Sequence, residues 1–528
     1  MGLWSYYFFA KLFLYFGQFI DLHVWPNLAF AAFLILPLRA RWLRVLRQVA
    51  AVPLGIALLY HDTWLPPPDR ILAQGSQLQQ FSFGYLVELL SRFINPGAVI
   101  ALLVMLLLYQ LLSRKLRMAT FAILGIALAP VIQHLVNEEP AAESTVAAGQ
   151  TVATTAAAPA AQAEVSLTPD TLNAEIASFY LQEAPRRVAF PHVDEHGGAY
   201  DVIYLHICSL AWDDLAAADQ RANPFLSRFD VILSNFNSTA SYSGPAAIRL
   251  LRSNCGQPKH ADLYSAAAPE CYLYNQLQQA GFEPEAAMNH DGHFGDFLKD
   301  VRDHGGYPAA LFDNRQAPVG MHAFDDSPIY DDGAVLTQWW QHRLTEAAPR
   351  VALYYNTISL HDGNHIVGGR SVSAKESYHL RVENLFAGFQ KLFDAIQASG
   401  RKAVVIMVPE HGANLRGDRM QISGLREIPT PAITLIPVGI KLIGLSAPAK
   451  DTPQTITAPS SFLAMNQILA NLMADSPYAH PQFSLADYLK DLPQTRYEAE
   501  NEGTIMLRQG PHYMMRSPDG SWSEYPVQ

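Results

Sequence analysis

Residues 403–412 read AVVIMVPEHG, an apolar run that stops on a carboxylate and an imidazole, Glu410 and His411. Both side chains are good ligands for Zn2+ and poor core residues. A short β-rich run ending at Pro409 predicts a buried strand. The pair then sits just past its carboxyl end, where open α/β sheets place their ligands. Taken alone, the pair is explained as well by a loop facing water. Three other strand ends add to it. Residues 202–207 run into Cys208, residues 231–233 lead into SNFNSTASYSGPA, and residues 351–355 lead into NTISLHDGNH with His361 and His365. If these strands are parallel neighbours, all four ends face one crevice.

The SNFNSTASYSGPA loop offers hydroxyls at Ser238, Thr239, Ser241 and Ser243, ahead of a helix expected at residues 246–251. Free backbone N–H groups and the helix dipole favour a phosphate there. Ser243, with Gly244 and Pro245 shaping the turn, is the best nucleophile candidate; a serine in that place is also an ordinary helix cap. Cys208, Glu410 and His411 would make three protein ligands to Zn2+, with the Ser243 oxygen completing a tetrahedron and activated by the metal. By itself Cys208 reads as a small buried hydrophobe. His361 is suited to protonating a leaving alcohol or holding phosphate. Arg426, in GLREIPTP, is suited to clamping phosphoryl oxygens in bidentate fashion. Tyr242 would wall the site. The plainer readings of these three are a solvated loop histidine, a surface ion pair and packing. His290, Asp291 and His293 (NHDGH) form a second polar cluster, balanced between a site and a plain loop.

The elements that must position these groups begin with a membrane half. The chain has 528 residues, 50% of them hydrophobic and only 16% charged, an excess of apolar side chains for a wholly soluble protein. That excess lies in five segments, residues 4–20, 24–38, 47–60, 96–112 and 118–136, read as transmembrane helices. Arg39, Arg41, Arg44 and Arg47 fall between the second and third segments, and Arg114, Lys115 and Arg117 between the fourth and fifth. Both clusters place the N-terminus in the cytoplasm and everything after residue 136 outside. Lys11 is out of place in this scheme unless it snorkels or faces the bundle interior. Residues 65–94, with three consecutive prolines and an amphipathic piece at 83–93, would lie on the outer surface.

An Ala/Thr-rich tether occupies residues 137–166. Order resumes at Thr168-Pro169-Asp170, a helix start with Leu172, Ile176 and Phe179 on one face. Beyond it, residues 271–280, 377–396 and a stretch capped by Ser460 read as helices. Residues 285–288, 403–408 and 432–436 read as strands, and residues 504–522 as a terminal hairpin. The alternation predicts a sheet with helices on both faces in a domain covering residues 167–528. Of three cysteines, Cys255 and Cys271 would close a loop of about 15 residues in an oxidising compartment such as the bacterial periplasm. Cys208 is left as a thiol. The formal charge of −11 gives no support to nucleic-acid binding.

Together, Cys208 after its strand, NFNSTASYSGPA with Ser243, the Cys255/Cys271 pair, LHDGNH with His361, PEHG and Arg426 resemble the alkaline-phosphatase-like superfamily. Within it the chain is similar to the membrane-bound phosphoethanolamine transferases, and most to those of bacterial cellulose secretion systems. The resemblance runs over nearly the whole chain. It implies a zinc-dependent α/β/α sandwich in the periplasm, behind five helices in the inner membrane. Phosphatidylethanolamine would be the donor, Ser243 the nucleophile, and the 6-hydroxyl of nascent cellulose the acceptor. His361, Arg426 and Tyr242 would assist, and other subunits of the cellulose synthase complex would be partners. Lipid A-type transferases commonly carry an acidic first ligand, a threonine nucleophile and an Asp-His pair; Cys208, Ser243 and Glu410-His411 depart from that and favour the cellulose group. A phosphoglycerol transferase, a sulfatase-like hydrolase and a non-catalytic scaffold are the alternatives.

Overall fold

The computed structural model describes residues 2–17, 20–63, 82, 84, 96–137, 167–307, 309–370, 372–447 and 453–526. The tether at 137–166 and the surface piece at 65–94 therefore lie, almost entirely, outside the described residues. The chain divides into two compact units, Met1–Gly75 with Val87–Ser166, and Ser76–Leu86 with Leu167–Gln528.

In the N-terminal unit the five apolar segments form helices Leu3–Phe16, Val24–Ile35, Arg41–His61, Pro96–Leu112 and Met118–Asn137. Proline at position 37 disfavours helical geometry at Leu36, and the second helix ends one residue earlier. The five segments read as transmembrane helices are thus all helical, but they differ in length. The first two helices have 14 and 12 residues, a rise of about 21 and 18 Å against a hydrocarbon core of about 30 Å. Among the described residues, Arg41–His61 alone is both long and apolar enough to cross a membrane. That helix also starts earlier than expected, so Arg41, Arg44 and Arg47 belong to its first turns rather than to a loop. Phe8, Leu12, Phe30, Leu34, Ile126 and Ala129 form the packed interior of this unit.

The second unit is built on a seven-stranded sheet. Its strands are β1 (Tyr200–Ile207), β2 (Val231–Asn237), β3 (Glu283–Met288), β6 (Val351–Thr357), β8 (Lys402–Met407), β9 (Leu435–Ile443) and β10 (Gln454–Ile456). The order is β10-β2-β9-β8-β1-β6-β3. β1 runs parallel to β6 and β8, and β6 parallel to β3. β9 is antiparallel to both β8 and β2. It is the one reversed strand, so β2 points the same way as β8 although it is not its neighbour.

The strands are apolar throughout because both faces are covered. Along β1, Val202 and Tyr204 enter one core while Ile203, Leu205 and Ile207 enter the other, the two-residue period of a strand. The first core is closed by helices Ser243–Leu251, Leu273–Gln279 and Phe462–Ala474. The second is closed by Asp332–Arg343 and Ala374–Ser399. This is an α/β/α sandwich. At the amino end of β1, buried Asp201 accepts from Arg343 at 2.9 Å and from the Val351 N–H at 2.9 Å. A smaller sheet joins β4 (Val319–His322), β5 (Pro328–Tyr330) and β7 (His365–Ile366). The terminal hairpin proves to be part of a four-stranded sheet, β11 (Glu498–Asn501), β12 (Thr504–Gln509), β13 (His512–Arg516) and β14 (Trp522–Tyr525).

Three local expectations are corrected. Residues 431–434 are a helical turn before β9, because Pro431 suits a first helical position. The helix expected from residue 271 is a 3-10 turn, Pro269–Cys271, followed by Leu273–Gln279. The helix assigned a Ser460 cap starts at Phe462, after Ser461, with no side-chain cap bond. The Thr168 cap is present, accepting from the Thr171 N–H at 3.4 Å.

Candidate functional site

Because β1, β2, β6 and β8 point the same way, their carboxyl ends open at one edge of the sheet. Cys208 continues β1 by a bridge to His411, with its N–H bonded to Thr357 O at 2.9 Å. The Glu410 N–H in turn bonds Ile207 O at 2.9 Å. The backbone ladder thus places three donors without help from their side chains. One ligand atom each from Cys208, Glu410 and His411 lies within 4.8 Å of the others, and all three residues are buried.

Ser243 joins them from β2's side. It is the first residue of its helix, and Tyr242 is the N-cap, so the capping role is not the one its hydroxyl plays. The Ser243 Oγ instead lies 3.2 Å from Cys208 Sγ and 3.4 Å from His411 Nε2. Of the other hydroxyls, Ser238 bonds Ala240 O within the loop at 3.3 Å, and Ser241 bonds Arg426 O across from it at 2.5 Å. Thr239 sits at positive φ.

The hydrogen-bond directions aim the donors. His411 donates from Nδ1 to Gly412 O at 2.9 Å, which leaves its Nε2 lone pair facing Cys208 and Ser243. Glu410 Oε1 accepts from Asn356 Nδ2 at 2.7 Å. Its Oε2 is buried with no hydrogen-bond partner, although the Ser243 hydroxyl and Cys208 thiol beside it moderate its pKa. Asn356 is set from behind. The Gly292 N–H donates to His290 Nδ1 at 3.1 Å, so His290 Nε2 carries the proton and donates to Asn356 Oδ1 at 2.8 Å. The NHDGH segment therefore splits: His290 supports Glu410, whereas Asp291 and His293 are exposed.

Burial dominates the electrostatics. It pushes the Cys208 thiol up to about 12, with Glu410 adding to the effect. It raises the Glu410 carboxyl to about 7 and drives His411 well down, helped by the Arg426 charge. An orphaned carboxylate oxygen, a bare imidazole nitrogen and a thiol fit a borderline dication such as Zn2+.

His361 faces the same crevice. Its Nδ1 donates to Asp362 O at 2.8 Å, and Phe324 packs on its ring at 4.8 Å. Burial, then Arg426, lowers it to about 4, so it is neutral at pH 7. Arg426 donates to Ser209 Oγ at 3.0 Å and lies over the Tyr242 ring at 5.7 Å; Tyr242 donates to Glu427 at 2.6 Å. Arg426 is thus buried in the crevice rather than paired at the surface. Asn501, from the end of β11, holds the Arg426 and Glu427 carbonyls at 3.0 and 3.1 Å. Cys255 and Cys271 form a disulfide, away from the donor cluster. His365 pairs with His322 in the small sheet and takes no part.

Asn356 and Asn501 are the residues that reading the sequence missed. Asn356 carried a signal, a lone amide in the apolar strand VALYYNT. Asn501 carried none, since it reaches the crevice only through the fold of the terminal sheet.

Residues 155–522 match the family model for the cellulose biosynthesis protein BcsG C-terminal domain, and residues 4–131 the model for its N-terminal domain. The cellulose biosynthesis protein BcsG of Salmonella typhimurium is 39% identical over 541 residues, covering 99% of this chain and 96% of that protein. The protein of the same name from Escherichia coli K12 is 39% identical over 543 residues, with the same coverage. Among solved structures, the zinc complex of the C-terminal periplasmic domain of EcEptC from Escherichia coli aligns with a TM-score of 0.43 at 16% identity, over 59% of this chain and 94% of that one. A likeness that slight carries no argument about function; the near full-length matches do settle kinship. The chain belongs to the cellulose biosynthesis protein BcsG family.

Proposed function

We propose that this chain is a phosphoethanolamine transferase of cellulose biosynthesis, on an alkaline-phosphatase-like fold. It would move phosphoethanolamine from phosphatidylethanolamine to the 6-hydroxyl of glucosyl units. The observation that carries the reading is the Ser243 hydroxyl 3.2 Å from Cys208 and 3.4 Å from His411, at the head of a helix. Membership of the BcsG family supports the acceptor.

Cys208, Glu410 and His411 would hold the ion. A bound Zn2+ supplies positive charge that favours the ionised serine and offsets charge on the phosphoryl group. Ser243 Oγ attacks phosphorus; the new O–P bond forms as the bond to diacylglycerol breaks. The proton lost by Ser243 equals the one diacylglycerol gains, and neutral His361 is suited to carry it. Arg426, fixed by Ser209 and the Tyr242 ring, holds phosphoryl oxygens, and free N–H groups of the Ser243–Leu251 helix add to it. In the second half the acceptor hydroxyl attacks the same phosphorus, gives up its proton, and Ser243 is restored. Most of the acceleration comes from positioning and electrostatics.

The N-terminal unit (residues 1–136) is the membrane anchor, N-terminus cytoplasmic, with a tether at 137–166 and the transferase unit, 167–528, in the periplasm of the inner membrane. Exposed apolar side chains such as Trp42, Ile56, Leu107 and Leu111 on its helices support a lipid-facing surface. Other subunits of the cellulose synthase complex are its expected neighbours.

The test is intact-mass analysis of the zinc-loaded chain in detergent after incubation with phosphatidylethanolamine. A phosphoethanolamine adduct that maps to Ser243 and vanishes in Ser243→Ala is expected. No adduct from folded, zinc-bound protein would overturn the reading; an adduct formed only from phosphatidylglycerol would point to a phosphoglycerol transferase.

A further inference from the structure

A second polar cluster lies in the N-terminal unit, where apolar packing dominates. Asp62, the C-cap of Arg41–His61, has a fully buried side chain. One of its oxygens, Oδ2, pairs with the Lys11 ammonium and accepts from Asn27 Nδ2 at 2.8 Å. Lys11 also donates to Asn27 Oδ1 at 2.7 Å. Lys11 is therefore neither snorkelling nor unpaired; it is the buried counter-charge of Asp62.

The other oxygen, Oδ1, is turned the other way, under two histidine rings. Two imidazoles converge on it from separate parts of the chain: His23 Nδ1 at 2.9 Å and His61 Nδ1 at 3.4 Å. Their rings lie 4.4 Å apart, edge to face. Both side chains are about half exposed, at 45% and 58%. The backbone clamps the two segments together, with the Asp21 N–H bonding Asp62 O at 2.8 Å. A carboxylate already neutralised by Lys11 and bonded by Asn27 has no need of two more donors. Two nitrogens and an oxygen bound tetrahedrally at 2.0–2.1 Å stand roughly 3.3 Å apart; both nitrogens are already near that distance from Oδ1, and all three donors lie within 4.8 Å of one another.

We infer that His23, His61 and Asp62 form a second metal site, for a borderline dication of the Zn2+ class, bound through both Nδ1 atoms and Oδ1. Asn27 and Lys11 orient the carboxylate from behind, as outer partners do at metal sites. A water would take the fourth position, on the side of the half-exposed rings. On binding, each imidazole gives up its Nδ1 proton and takes one from water at Nε2, a tautomer shift that leaves the ring neutral. The inference is independent of the transferase reading.

The test is a metal count on the full chain in detergent, stripped with chelator, reloaded with Zn2+ and freed of excess. Wild type is expected to hold two equivalents, and both His23→Ala/His61→Ala and Cys208→Ala/His411→Ala one each. A count in His23→Ala/His61→Ala equal to that of wild type would overturn the inference. The cluster would then be a hydrogen-bonded cap on the Lys11–Asp62 pair. If only the Cys208→Ala/His411→Ala chain kept its metal unchanged, the transferase reading would lose its ion and this site would stand. Should the first variant fail to fold, Co2+ loading of Cys208→Ala/His411→Ala decides without touching the cluster. Visible bands of four-coordinate Co2+ are expected; their absence would overturn the site.

Discussion

Two carboxylates in this protein are prepared in the same way and left in opposite electrical states. Glu410 and Asp62 each give one oxygen to an asparagine amide, Asn356 or Asn27, and turn the other towards imidazole. Asp62 has a lysine against it. Glu410 has a thiol, a hydroxyl and an orphaned oxygen, with its charge held down by burial. A buried ion pair is tolerable by itself, whereas an unpaired buried carboxylate calls for a cation. By this comparison the same aiming device would make a tight metal site where the charge is unmatched and a weaker one where it is already matched.

The largest way to break the comparison is to remove what the first cluster has and the second lacks. Ser243→Ala is expected to lower transfer by at least about 10^3-fold while leaving zinc bound, checked by turnover beside a metal count. Next comes making the second cluster resemble the first. Lys11→Met leaves Asp62 buried and uncompensated, a loss of about 3–5 kcal/mol in the stability of the metal-free N-terminal unit. The same change should tighten Zn2+ at His23 and His61, so thermal melts with and without zinc should separate more widely than in wild type.

Asn356→Leu is the smaller counterpart in the first cluster. Glu410 loses its orienting donor, and zinc affinity should fall by about 10- to 100-fold, read by chelator competition, with the fold intact by circular dichroism. The gentlest lever is pH. Burial pushes the metal-free thiol of Cys208 up to about 12 and Glu410 to about 7, so at neutral pH the thiol, and about half of the Glu410 carboxyls, hold a proton that zinc must displace. Affinity should therefore rise with pH, about tenfold per unit above 7 where one proton is lost, and more steeply below it. Calorimetry in buffers of different ionisation enthalpy would count the protons.

Each of Cys208, Glu410 and His411 was legible because it ends or follows an apolar run, and a polar group at the end of a buried strand stands out from its surroundings. Ser243 was legible as a hydroxyl at a helix entrance, though four hydroxyls shared the loop and only geometry separates them. Asn356 was hidden inside its strand, where the side chain, not the pattern, decides its use. The reversal of β9 was hidden too, since Leu435–Ile443 reads the same in either direction. Strands of two to four residues such as β4, β5 and β7 are shorter than any periodicity can mark. The early start of the third helix went unseen because Arg41, Arg44 and Arg47 read as loop charges, whereas a helix accommodates arginine well.

The position of β1 in the sheet has a consequence for how the protein is made. Cys208 and His411 are 203 residues apart, and β1 is flanked by β6 and β8, both synthesised long after it. A nascent chain thus carries its thiol through 203 further residues of synthesis before His411 exists, and long-range closure of this kind is slow. Asn501, which steadies Arg426, comes later still. Capture of the proposed ion would therefore be an act of the finished polypeptide, in whichever compartment it finishes folding, and a ribosome that stops before β11 would release a chain with Cys208, Glu410 and His411 in place but no brace on Arg426.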